Sequence, residues 1–466
     1  MKLFSKKISP YTFWVVLLIL IRAFLNYAIP LMDKTEARYS EIARIMAETN
    51  NWTTLQIDYG VPFWAKPPLS TWLSAISFNI FGVNEFAVRF PYLLLNILVI
   101  LLVGKYAKRK GLDFLLPALI LLTIPEFLLH TGVVSTDTAL AFCVTLVMIS
   151  FWEGIHNKEQ TFWKYLFFAG LGLGLLAKGP IIIILTAPPV FVWMVLFKQY
   201  KTVWKKLPWI VGIIITAIIA IPWYYLAEQK TPGFIDYFIV GEHFKRFLSS
   251  GWKGDKYGFP KSQPLGMIWV FLFVFAIPWI QILISKLWKN KSILFKNKWV
   301  SFLLFWLLWT PLFFTVSKSL IHPYIMPIMV PIALLITYWW EDLKYPKRII
   351  DIGLVFPILA LVVYIAISFT SKKDFYINSD KYFIEQHIND NLPIFHWETK
   401  SYSGQFYSKG KLKAMENAQA LTEQLSLKKP FLLIIPHKKI KNIDENTMSQ
   451  LKELASNYKK SIYIFN

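Results

Sequence analysis

The sequence predicts an α-helical polytopic membrane protein of about eleven transmembrane helices, followed by a small C-terminal α/β domain. Three observations carry this. The 466 residues are 55% hydrophobic, 17% aromatic and only 17% charged, and the mean hydropathy is +0.45. Apolar runs of about 18 to 22 residues recur over most of the chain, each long enough to cross about 30 Å of hydrocarbon. Beyond residue 370 they give way to short strand-like runs alternating with helical patterns. The expected division is a membrane domain over 1–370 and a soluble domain over 371–466, on the outer face.

The predicted spans are 11–30, 86–104, 113–130, 133–152, 162–178, 179–197, 207–227, 264–285, 299–316, 322–340 and 349–369. The first is read as a retained helix: its apolar run is longer than a signal core and lacks a small-residue cleavage site. Basic residues set the orientation. Lys2, Lys6 and Lys7 precede the first span, and Lys105, Lys108, Arg109 and Lys110 follow the second. Further clusters at 198–206, 286–298 and 344–348 fall on the same side, which is then cytoplasmic. The net charge of +22 therefore reflects membrane topology. A nucleic-acid footprint would be a continuous basic face on a folded domain, so nucleic acid is not an expected partner. The one cysteine, Cys143, lies in an apolar run and forms no intrachain disulfide.

The opposite face receives 31–85, 228–263, the short 317–321 link and the tail. In the first of these, Ile42, Ile45 and Met46 share one side of a helical pattern with charge on the other, as in a helix lying in the interface plane. Leu69–Phe81 reads as a second interfacial helix. In the tail, strands are expected at 394–397, 431–435 and 462–465, and helices at 417–425 and 445–458.

Ionisable residues at the mouths of spans are costly and are functional candidates by default. Asp33, Glu36 and Arg38 follow the first span: a carboxylate there suits a general base and an arginine suits an anionic head group, while a solvated helix start capped by Asp33 or Thr35 is the competing reading. Lys66, before Pro67 and Pro68, is a point charge suited to phosphate, or an ordinary interfacial anchor. Glu242, His243, Lys245 and Arg246 suit a metal, a phosphate or a proton, or form a lipid-facing basic patch. Asp137, Lys178, Lys318, His322 and Tyr324 complete the set, with snorkelling as the plain account of the lysines. Together they converge on the outer leaflet with cations in excess, which suits an anionic, membrane-embedded ligand such as a lipid phosphate.

At these residues the chain resembles the bacterial polyprenyl-phosphate-dependent glycosyltransferases of the GT-C superfamily, which are related to protein O-mannosyltransferases and to lipid A aminoarabinose transferases. The likeness runs in order through Glu36-Ala37-Arg38-Tyr39, Trp52, Lys66-Pro67-Pro68, Phe81-Gly82-Val83-Asn84-Glu85, Ser135-Thr136-Asp137, Ala177-Lys178-Gly179, Gly241-Glu242-His243 and Ser317-Lys318 with Pro323-Tyr324. The resemblance implies a GT-C fold and transfer of a sugar, with inversion, from a polyprenyl-phosphate carrier such as undecaprenyl phosphate. The acceptor would be a lipid (lipid A-like), a glycan or a protein on the periplasmic side of the inner membrane.

By that resemblance Asp33 is the candidate base with Glu36 beside it. Arg38, Lys66, Arg246 and Tyr324 would hold the donor phosphate, Lys318 would assist, and Asp137 and His243 would contact substrate. Two departures matter. Relatives carry an acid directly before the Glu of Asp-Glu-x-Arg-Tyr, where this chain has Thr35, so Asp33 would have to take its place. Relatives that bind zinc use a glutamate before Lys-Pro, where this chain has Ala65, so metal-independent action without a cofactor is expected. Asp33 and Lys66 are expected to face one cavity. The competing reading is a transporter or flippase of a lipid-linked anion, for which charges near the midplane and inverted repeats would be the signature.

Overall fold

The computed structural model describes residues 9–466 except 158, 249–251, 253, 259–261, 294, 371–373 and 388–391. Lys2, Lys6 and Lys7 lie outside the described residues. From the start of the chain the helices are α1 (Thr12–Ala28), α2 (Thr35–Thr49), α3 (Leu69–Phe81), α4 (Glu85–Arg109), α5 (Leu116–Thr123), α6 (Pro125–His130), α7 (Thr136–His156), α8 (Phe162–Lys178) and α9 (Ile181–Leu196). Tyr200–Lys206 and Trp209–Lys230 follow, then a π-helix over Asp236–Lys245. Met267–Phe275, Trp279–Lys289, Lys298–Phe314, Met329–Tyr338 and Pro346–Ser368 complete the apolar part, with a 3-10 segment at His322–Ile328.

Among the described residues, α4, α7, Trp209–Lys230 and Pro346–Ser368 are long and apolar enough to cross a membrane singly. The expected straight span over 264–285 is instead a pair, Met267–Phe275 and Trp279–Lys289, bent by 103°. Pro278 sits in the break, and without an N–H it cannot continue the helical ladder. The expected 113–130 helix is likewise split between α5 and α6, where extended Ile124 precedes Pro125. With the family likeness reported below, this is a multi-pass membrane protein.

The helix starts follow local chemistry. Asn84 accepts from the Ala87 amide at 2.8 Å to cap α4, and Ser135 accepts from the Asp137 amide at 3.1 Å to cap α7. Helix α7 is buried almost throughout and forms the axis of the bundle. Around it, small residues set the closest helix approaches. A Cβ on Gly212 would lie 2.1 Å from the Phe168 ring, and one on Gly174 would lie 2.3 Å from Ile182. Those positions let backbones meet where lipid offers no hydrophobic drive for association.

Helix α2, expected in the interface plane with one face out, is buried along most of its length, from Glu36 to Met46 except the half-buried Arg38. It is covered by α3 on one side and by the Tyr402–Tyr407 helix of the tail on the other. No side chain caps its start, so the capping reading of Asp33 and Thr35 does not hold.

The tail carries a five-stranded sheet. After the small hairpin β1 (Gln56–Asp58) and β2 (Val61–Pro62), its strands are β3 (Ile394–Trp397), β4 (Lys413–Met415), β5 (Phe431–Pro436), β6 (Lys452–Ser456) and β7 (Lys460–Phe465), in the order β4-β3-β5-β7-β6. β3 pairs in parallel with β4 and β5, whereas β7 pairs antiparallel with β5 and β6. Along β5, Phe431, Leu433 and Ile435 face one apolar cluster while Leu432 and Ile434 face the other, the two-residue period of a strand covered on both sides. The helix expected over 445–458 is corrected: it stops at Ser449, and 452–456 is edge strand β6. Its alternating burial is weak, so the helical reading of the sequence had nothing to oppose it.

Candidate active site

The functional candidates meet at a cavity of about 720 Å³ between the first loop, the start of α7, the end of α8, the π-helix and the 3-10 segment. Its wall includes Arg38, Lys66, Asp137, His243, Arg246 and Tyr324 from the sequence-predicted set. Among the described residues, five that line it are cationic (Lys34, Arg38, Lys66, Lys178 and Arg246) and two are acidic, Asp137 and Glu242.

The cations are held by specific partners. Lys66 donates to the Glu242 carboxylate at 3.1 Å and to the carbonyl of Ala65 at 2.6 Å. Arg246, one helical turn after Glu242, donates to both of its carboxylate oxygens at 3.0 Å. Burial pushes the Glu242 pKa up, but Lys66 and Arg246 outweigh it and hold the group below the usual glutamate value. The carboxylate thus stays ionised and positions two cations whose remaining N–H groups are available to an anion. Lys178 donates to Asp137, which also accepts from Ser135 Oγ at 3.2 Å, and the Lys178 ammonium lies 4.2 Å from the Tyr324 ring centroid. Arg38 donates to the Tyr257 carbonyl at 2.6 Å and packs against the rings of Tyr39, Phe63 and Tyr402.

His243 makes two contacts with backbone carbonyls: Nδ1 lies 2.8 Å from that of Phe238 and Nε2 3.2 Å from that of Lys178. Burial lowers its pKa, with the Phe238 carbonyl opposing and Lys66 adding to the fall. With both nitrogens facing carbonyls and Ala65 in place of an acid, these residues do not fit a zinc ion. Among the described residues, no three His, Cys, Asp or Glu are grouped to hold a metal.

Three expectations are corrected. Asp33 does not line the cavity and does not share it with Lys66. Its carboxylate accepts from the Ser403 amide at 2.9 Å, from Ser403 Oγ at 2.6 Å and from Lys460 at 3.2 Å, all in the tail. Glu36 also turns away: both its oxygens accept from Arg89 at 2.8 Å, and Arg89 reaches on to the carbonyls of Asn26, Ile29 and Pro30 at the end of α1. Neither carboxylate is placed to take a proton from a ligand in the cavity. Lys318 is exposed and off the wall. The antiparallel bridge between Ser262 and Ser319 sets the local backbone extended, so Ser317 and Ser319 face inward while Lys318 faces out.

The cavity also holds the candidates Glu242 and His322, together with Tyr402 and His130, which the sequence reading did not single out. Glu242 is the shared partner of two cations, and Tyr402 reaches the wall from the tail. His130 and His322 flank the carboxylate of Glu126. A sequence signal for that cluster exists: Glu126 and His130 stand four apart in an apolar run, on one helix face.

Residues 11–238 match the family described as dolichyl-phosphate-mannose-protein mannosyltransferase. An undecaprenyl phosphate-alpha-4-amino-4-deoxy-L-arabinose arabinosyl transferase of Pseudomonas fluorescens is 25% identical over 378 residues, covering 77% of this chain and 66% of that protein. Its namesake from Wigglesworthia glossinidia brevipalpis is 28% identical over 372 residues, covering 75% and 62%. The chain thus spans about two thirds or less of the length of these relatives. The crystal structure of ArnT from Cupriavidus metallidurans bound to undecaprenyl phosphate superposes with a TM-score of 0.75 at 17% identity, covering 97% of this chain and 98% of that one. Its apo state gives 0.74 at 18% identity. In the order of its motifs, in the family matched by residues 11–238 and in its fold, the chain resembles the polyprenyl-phosphate-dependent glycosyltransferases of the GT-C superfamily.

Proposed function

We propose that this protein is a membrane glycosyltransferase that moves one sugar from a polyprenyl-phosphate carrier to a lipid, glycan or protein acceptor, with inversion. The observation that carries the reading is the cation excess around one cavity, five positive side chains against two carboxylates among the described residues. A polyprenyl-phosphate sugar carries one negative charge on its phosphodiester; the leaving polyprenyl phosphate carries up to two. Lys66, Arg246, Lys178 and Arg38 therefore stabilise the leaving group more than the bound donor, which is the condition for lowering a barrier rather than merely binding substrate. Glu242 holds Lys66 and Arg246, Asp137 holds Lys178 and the Tyr257 carbonyl holds Arg38, so little reorganisation is needed as charge develops. No metal or other cofactor takes part in this reading.

In the same proposal the chain has about eleven spans in the cytoplasmic membrane, with the cavity and an α/β domain over 371–466 on the periplasmic side. The chemical test uses purified protein in vesicles with a labelled undecaprenyl-phosphate sugar and membrane acceptors. Acceptor-dependent release of undecaprenyl phosphate is expected. Movement of intact donor across the bilayer without bond cleavage would instead support a flippase.

A further inference from the structure

The cavity's carboxylates are already committed: Asp137 to Lys178, Glu242 to Lys66 and Arg246. With Asp33 and Glu36 also engaged elsewhere, the group that takes a proton must be sought among other residues. His322 lines the cavity with its side chain 38% exposed, directly before Pro323 and Tyr324. Its Nδ1 lies 2.9 and 3.2 Å from the two oxygens of Glu126, a carboxylate with no exposure at all. The Phe275 ring stacks on the imidazole at 4.6 Å and 13°, fixing its plane. His130 shares this carboxylate: its Nδ1 lies 3.0 Å from Glu126 Oε1 and 3.1 Å from the Glu126 carbonyl.

This is a carboxylate-oriented imidazole. Glu126 can accept only if Nδ1 of His322 carries the proton, which leaves a lone pair on Nε2. Nε2 has no hydrogen-bond partner among the described residues. Both imidazoles line the cavity, and His322, 38% exposed against 4% for His130, presents more of its ring to the ligand space. The elements packed on the 3-10 segment bring few other charges. Helix α6 brings Glu126 and His130, α7 brings Asp137 with its partner Lys178, and Met267–Phe275 brings the Phe271 and Phe275 rings. Lys298–Phe314 and Met329–Tyr338 carry their ionisable residues, Lys298 and Tyr338, at the ends opposite that segment.

We propose that His322, oriented by Glu126, is the proton acceptor of the transfer reaction, and that the acceptor substrate is therefore a neutral hydroxyl on a membrane glycolipid. A phosphate acceptor is already anionic at neutral pH and needs no such device; the apolar wall next to His322, with Leu129, Ile321 and Phe314, favours a lipid-borne group. In the step, the hydroxyl proton passes to Nε2 as the acceptor oxygen bonds to the anomeric carbon. The anomeric C–O bond to phosphate breaks with its electron pair on the phosphate, and the proton later leaves His322 for solvent. The proposal rests on the glycosyltransferase reading above.

The test compares two probes with a labelled undecaprenyl-phosphate sugar: a glycolipid bearing only hydroxyls, and the same glycolipid carrying a phosphate monoester. For the hydroxyl probe, wild-type kcat is expected to rise with pH along an acid limb. His322→Gln should remove that limb and cut kcat by about 10²- to 10⁴-fold while leaving undecaprenyl-phosphate binding unchanged. Added imidazole should restore turnover to His322→Gly. Glu126→Gln should shift the limb. An unchanged acid limb in His322→Gln, or wild-type transfer to the phosphate probe alone or to a serine peptide alone, would overturn the proposal while leaving glycosyl transfer standing. Donor binding without transfer to any probe would overturn both.

Discussion

The Lys460 ammonium lies 3.2 Å from the Asp33 carboxylate and 2.7 Å from that of Asp380, joining the last strand of the tail to the turn after the first helix. Ser403 adds two further bonds to Asp33, and the helix that begins one residue before it, Tyr402–Tyr407, places Tyr402 on the cavity wall. Two more ion pairs, Lys400 with Asp58 and Lys381 with Glu85, both at 2.6 Å, hold the same face. The tail thus fixes the start of α2, the helix that carries Arg38 and Tyr39 to the site.

Asp33→Asn is accordingly expected to act on docking and not on chemistry. Replacing the carboxylate weakens the bonds from Lys460 and Ser403 while Lys460 keeps Asp380, a loss of roughly 1–3 kcal/mol. Thermal unfolding should show the loss, with kcat for sugar transfer within a few-fold of wild type below the transition. A drop of 10³-fold in kcat with unaltered stability would return Asp33 to a catalytic role.

The same network predicts a pH window for docking. Burial pushes the Asp380 pKa up, but Lys460 and then His396 outweigh it and lower it, so its contribution is lost as pH falls below about 4. Burial lowers the Lys460 pKa, but Asp380 and Asp33 outweigh that and raise it, so its contribution is lost only as pH climbs beyond about 10.4. After correction for the intrinsic base-catalysed rate, the protection of the Ser403 amide from hydrogen exchange should be high between these limits. Rapid exchange at pH 6 would contradict the docked arrangement.

Lys66→Ala removes one of two cations on Glu242. Loss of a charge-assisted bond to the donor phosphate predicts affinity for undecaprenyl phosphate weaker by about 10- to 150-fold, or 1.5–3 kcal/mol. With Lys66 gone the Glu242 pKa should climb, so the defect should be deepest at low pH. Titration calorimetry at two pH values reads both effects, and equal affinity to wild type would exclude Lys66 from phosphate binding.

Glu36→Gln leaves Arg89 buried without its counter-charge. Breaking such a pair costs about 3–5 kcal/mol, and the loss should appear as reduced yield and a lower unfolding temperature, because Arg89 also ties down the end of α1. Glu36→Gln combined with Arg89→Met should recover part of that loss. Normal stability in the single variant would show that the pair is not structural.

Much of the architecture was legible in local pattern. Leu69–Phe81 and Phe162–Lys178 have the helix bounds that their apolar periodicity predicts, and Ile394–Trp397 has its strand bounds, because amphipathic period and capping chemistry act within a few residues. The motif residues Arg38, Lys66, Asp137, His243, Arg246 and Tyr324 could be singled out because charge at the mouth of an apolar run is costly wherever it sits. What sequence could not specify was the partner of each charge. Asp33 and Glu36 stand three apart in one loop, yet one is taken by Lys460 across 427 positions and the other by Arg89 across 53. His322 acquires its carboxylate from Glu126, 196 positions away. Sequence by itself determined which segments seek the membrane and which charges demand an explanation, since both follow from local transfer free energy. Only the tertiary structure decided which carboxylates are structural and which imidazoles face the cavity, since a buried charge is defined by what the fold brings against it.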